Sequence, residues 1–247
     1  MLWPFGGRWP EWGPVPADRR TRDGFLNVAG PCQVVQCGVW SGKVDRRLHR
    51  QASTVTTMTE ISFDLQDELS PILRAGDLAE CERRVSARLA ALPRSPFHEI
   101  LSLSITNPPE EVAAFFDEFF RQQPRDKIKA AYTEMNGFDI NPGLWFCSPF
   151  AYKRYGGHDD YDWLSDWQSD DFGYLPILGL ESLQRVYGSD AFHDERFDDA
   201  CSVAGLLVVI RFQDLIRRSA PRMQELHFPL LATAHDYDFI YEVQPDV

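Results

Sequence analysis

Between residues 120 and 130 the apolar period of the chain changes, and this change restricts the fold more than any other feature. Before it, the stretches ISFDLQDELSPILRAG and DLAECERRVSARLAAL carry apolar residues three to four apart, with Leu78, Cys81, Val85, Leu89 and Leu92 forming one stripe. Two helices are predicted, separated near Gly76 and ended by Pro93. NPPEEVAAFFDEFFRQQ then reads as a helix start, with Asn107 as cap, prolines in the first turn and Glu110 three residues on. Phe115, Phe116, Phe119 and Phe120 give this helix a broad core face. After the change, IKAAYTEMNGF and LWFCSPFAYKRYGG are rich in aromatic and branched residues and flank the turn sequence FDINPG, which predicts an antiparallel hairpin.

A short helix around LESLQRVYG and a long amphipathic stretch over residues 195–218 follow. FPLLATAHDYDFIYEV reads as two short strands turning at His235 and Asp236. The pattern predicts an α+β fold, a single domain of N-terminal helices followed by an antiparallel sheet with interspersed helices. No internal repeat is visible.

Residues 1–57 read differently, mixing Gly, Pro, Arg and Trp without periodicity. They are expected to be a poorly ordered basic extension, and translation from Met58 would make them a gene-model artefact. Charge divides at the same place. Residues 1–57 hold 8 Lys/Arg and 4 Asp/Glu, and residues 58–247 hold 17 and 33, so +4 and −16 make up the total of −12. An acidic domain of this kind repels nucleic acid and anionic membranes and attracts cationic partners.

The longest apolar run, VAGLLVVI, is far shorter than the roughly 20 residues of a membrane span. The start lacks the pattern of a secretory signal. Five scattered cysteines, Cys32, Cys37, Cys81, Cys147 and Cys201, fit a reduced, cytoplasmic protein better than a disulfide framework.

The densest chemistry lies in HDDYDWLSDWQSDD, residues 158–171, with six aspartates and two tryptophans. Three readings compete. His158 and His235, each beside aspartates, would supply a metal-dependent hydrolase, although no diagnostic ligand spacing accompanies them. A solvated, self-capping loop is the second. The third is a partner surface, in which Trp163 and Trp167 share a helical face if residues 161–168 are helical and carboxylates steer a basic protein inward. Nucleophilic and phosphate-binding motifs are missing: Cys147 lies in a buried strand pattern, Ser148 has no GxSxG turn, and neither Gly6 nor Gly156 opens a P-loop.

The acidic body from Met58, the aromatic hairpin YTEMNGFDINPGLWFCSPFAYKRYGG, the segment HDDYDWLSDW and the ending ATAHDYDFIYE together resemble bacterial immunity proteins that neutralise polymorphic or contact-delivered toxins. That resemblance implies a cytoplasmic, cofactor-free binder that occludes a basic cognate toxin, for instance a nuclease effector, and needs no catalytic residue. Asp159, Asp160, Asp162, Asp166, Asp170 and Asp171 would supply the charge, with Tyr161, Trp163 and Trp167 as apolar anchors. A regulatory interaction module without a toxin is the other binding reading.

Overall fold

The computed structural model describes residues 58–158 and 161–245. The basic extension at residues 1–57 therefore lies outside the described residues.

Two helices open the fold, α1 (Glu60–Arg74) and α2 (Leu78–Ala91). Gly76, at φ +80°, ends α1, because Gly76 N–H donates to Leu73 O and Asp77 N–H reaches back to Ile72 O. Asp77 then caps α2 by accepting from Glu80 N at 3.0 Å. The predicted stripe is the buried face of α2, since Leu78, Cys81, Val85 and Leu89 are all in the core.

A 3-10 segment (Pro96–Ser102) leads to α3 (Pro109–Arg121), which buries Phe116, Phe119 and Phe120. Asn107 does not cap α3. The residue before the helix is Pro108, and Asn107 instead donates to Pro176 O and accepts from Leu178 N, each at 2.8 Å. Its amide serves a distant loop better than the helix end, where a proline already fixes the chain direction.

The hairpin forms as β1 (Ala130–Met135) against β2 (Phe146–Tyr152), antiparallel, with Tyr132 opposite Phe150. β3 (Leu175–Pro176) pairs with the start of β2. Helix α4 (Glu181–Tyr187) and the long α5 (Asp198–Ser219) follow, and then β4 (Leu230–Ala234) and β5 (Tyr241–Val243). The turn between β4 and β5 holds Asp236 at φ +68°, a conformation that aspartate tolerates better than most residues.

The strand order is β3-β2-β1-β4-β5, and β4 runs parallel to β1 with Ala131 beside Leu230. The sheet is thus mixed rather than antiparallel. The cause is the long return through α4 and α5, which brings the chain back to the same end of the sheet from which β1 starts.

Helix α5 also differs from the amphipathic stretch expected. Its residues from Ala200 to Ile210 are buried on every side, because α1, α2, α3 and the sheet surround it. VAGLLVVI is the centre of this buried rod. Two polar residues on it bond to its neighbours: the Gln213 amide nitrogen donates to Ala232 O and Phe239 O, while its buried Oε1 has no partner among the described residues, and Arg211 donates to Ile100 O and Leu103 O while pairing with Glu82 at 2.8 Å. Among the described residues no helix is long and apolar enough to cross a membrane.

Strand alternation gives the sheet two unlike faces. Ala131, Met135, Cys147, Leu230, Ala232 and Ala234 belong to the core shared with the helices. Ala130, Tyr132, Tyr152 and Leu231 are equally buried but lie outside that core, on the opposite face. What covers this second face is the segment singled out in the sequence.

Candidate binding surface

The chain leaves β2 at Tyr152 and folds back over the second face. Trp163 packs edge-on against Tyr152 and Tyr155, with ring centroids 5.0 and 5.7 Å apart, and is only 4 % exposed. Its indole N–H donates to Gly157 O at 3.2 Å. Gly156 makes this fit possible, since a Cβ there would stand 2.2 Å from the Trp163 ring. Trp167 packs edge-on against Phe150 at 5.8 Å but keeps 37 % of its surface exposed. Farther on, Phe172 reaches Phe115 and Phe119 of α3, at 5.3 and 5.4 Å.

Backbone and side-chain bonds stitch the same segment to the edge of β2. Gln168 N–H donates to Ala151 O at 3.0 Å, Ala151 N–H to Ser169 Oγ at 3.1 Å, and Lys153 N–H to Gln168 Oε1 at 2.7 Å. Tyr152 O–H donates to Leu164 O. The segment is irregular apart from a 3-10 turn (Asp162–Ser165), so the helix that would have put Trp163 and Trp167 on one face does not form. Trp163 is consequently a core residue of the second face rather than a surface anchor, and of the two it is Trp167 that presents an indole to solvent.

At its start the segment is tied to the far side of the sheet. Glu242 on β5 accepts on one oxygen from both Tyr155 O–H, at 2.7 Å, and His158 Nε2, at 2.9 Å, and its side chain is 6 % exposed. The other nitrogen of His158 bonds the Tyr161 hydroxyl at 3.0 Å. Burial raises the Tyr161 hydroxyl above the usual phenol range, so it stays a neutral partner. Tyr161 is thereby half-buried and engaged internally.

The carboxylates point the other way. Asp162, Asp166, Asp170 and Asp171 are exposed, while Asp159 and Asp160 lie outside the described residues. The outcome is a loop with aromatic side chains turned in and acids turned out.

His235 occupies a separate place. Its Nδ1 lies 2.8 Å from Glu134 Oε1 on β1, and Tyr132 O–H donates to the other oxygen of Glu134 at 2.6 Å. The hydrogen bond to Glu134 raises the His235 pKa to about 9 against the opposing effect of burial, so the ring is a cation at neutral pH. His158 and His235 serve different carboxylates on β5 and β1, with β4 between them. Both nitrogens of His158, and Nδ1 of His235, are already occupied by internal partners. Among the described residues no three His, Cys, Asp or Glu side chains are grouped to hold a metal ion.

Glu134 and Glu242 were not apparent as functional residues in the sequence, although alternation was the available signal. Glu134 lies two residues from Tyr132, and Glu242 pairs with Leu231, so all four share the second face. Cys81, Cys147 and Cys201 are buried free thiols, and burial pushes the thiols of Cys147 and Cys201 up to about 12.

Comparison of the chain with protein-family models, with curated proteins and with solved structures yields no match. The functional reading therefore draws on the chemistry of this surface.

Proposed function

We propose that the chain is an immunity-type binding protein that occludes a basic cognate toxin, such as a nuclease effector, in the cytoplasm of the producing cell. The observation that carries the reading is the outward set Asp162, Asp166, Asp170 and Asp171 around the half-exposed Trp167, on a loop held by packed rings. Exposed carboxylates facing a basic surface accelerate encounter and select the partner. A loop already fixed by Trp163, Tyr152 and Glu242 spends little ordering entropy when it binds. Occlusion needs no catalytic group. The surrounding domain, with its balance of −16, extends the same field.

The test is co-expression with the product of the adjoining gene, followed by titration of the purified pair. A basic toxin whose lethality the chain suppresses, with an affinity that falls as salt rises, supports the proposal. Binding that ignores both salt and Asp→Asn changes in residues 162–171, or a neighbour that is not toxic, overturns it.

A further inference from the structure

Away from the acidic loop, a pocket of about 280 Å³ opens where β1 and β4 begin. Its floor is apolar. Phe120 and Phe228 meet edge to face at 5.1 Å, and Ile128 and Pro229 complete it. Its rim carries Arg125, Lys129 and His227, with Glu225 as the one carboxylate. Glu225 is set in place by Asp117, which accepts from the backbone N–H of Gln224 and Glu225 at 3.1 and 2.9 Å, and it pairs with Arg125. Lys129 Nζ reaches only the Asp126 carbonyl, at 3.4 Å, and neither Lys129 nor His227 forms an ion pair among the described residues. Lys129 is thus an unpaired cation beside an apolar, aromatic floor, on a domain whose overall balance is −16.

We infer that this pocket binds a small monoanion with an apolar body, an aromatic or branched carboxylate. A bare inorganic anion would gain nothing from the Phe120–Phe228 floor, and a neutral apolar molecule would gain nothing from the rim. The pocket is just under the roughly 300 Å³ at which drug-sized sites begin, which limits the ligand to about one ring and its acid group. The ladder fixes the rim, because Lys129 N–H donates to Tyr152 O at 2.8 Å and Ala131 N–H to Pro229 O at 2.9 Å. The site is thus largely formed before a ligand arrives. The inference does not depend on the toxin reading, since the two surfaces share no residue.

Phenylacetate, phenylacetamide and inorganic phosphate serve as probes for the full chain, followed by calorimetry and by NMR shifts of His227. Phenylacetate is expected to bind, with the amide about tenfold weaker because it lacks the charge-assisted contact. Phosphate should be weaker than phenylacetate. Lys129→Gln and His227→Gln, both exposed changes that leave the core intact, should each reduce phenylacetate affinity several-fold. Equal binding of acid and amide, phosphate binding as well as phenylacetate, insensitivity to both variants, or no phenylacetate binding at roughly 10 mM overturns the inference.

Discussion

His158 Nε2 lies 2.9 Å from Glu242 Oε2, and this pairing joins the first residue of the acidic loop to the outermost strand of the sheet. Tyr155 donates to the same oxygen, so one carboxylate holds two points of the loop. Glu242→Ala would leave both donors without their acceptor, with an expected stability loss of roughly 1–3 kcal/mol. Hydrogen exchange should accelerate over residues 153–165 and not in α5. Unchanged exchange there would show that the rings alone hold the loop.

Gly156→Ala should be more damaging than its size suggests, because the added methyl meets the Trp163 ring. Trp163→Ala removes the ring and is expected to cost about 3–5 kcal/mol, the usual range for a buried large aromatic. Denaturant unfolding measures both. If the Gly156→Ala protein is as stable as the parent, the ring is not seated on the backbone as described.

Asp166→Asn and Asp170→Asn combined should leave stability unchanged or slightly raised, since exposed like charges are removed. Under the proposed function, the association rate with the toxin falls about tenfold at low salt and its salt dependence flattens. Stopped-flow kinetics gives both readings.

The Glu134–His235 pair predicts a pH dependence of stability. The folded pKa of His235, about 9, is raised above the ordinary histidine value of 6.5. The stabilisation is therefore complete below pH 6.5 and is lost as pH rises through about 9. Its upper bound is on the order of 3 kcal/mol. Thermal melts between pH 6 and 10 should show this decline, and His235→Gln should remove most of it. A decline that persists in the variant would assign it to other groups.

Many local signals were legible in the sequence where a residue acts on its neighbours, the Asn107 cap being the exception. Gly76 ends α1, Pro109 opens α3, and the Asn-Pro-Gly turn joins β1 to β2, all within a few residues of the signal. Pairing partners were another matter. β1 and β4 are separated by about a hundred residues, and nothing in AAYTEM or LLATA specifies that they run parallel. The burial of α5 on all sides also depends on surroundings rather than on its own pattern. For the loop, charge density was plain, but the direction of each ring was not. Trp163 and Trp167 look equivalent in sequence, yet one lies under Gly156 and Gly157 while the other caps Phe150.

The parallel pairing of β1 with β4 has a consequence for biosynthesis. When the ribosome has made β1, β2 and β3, the inner edge of β1 has no strand beside it, and α5 has no sheet of full width to rest on. Both are satisfied only after residues 230–243 have emerged. From the end of β3 to the start of β4 the nascent polypeptide thus carries an open sheet edge through some 54 residues of elongation, during which holdase chaperones would find it a ready substrate.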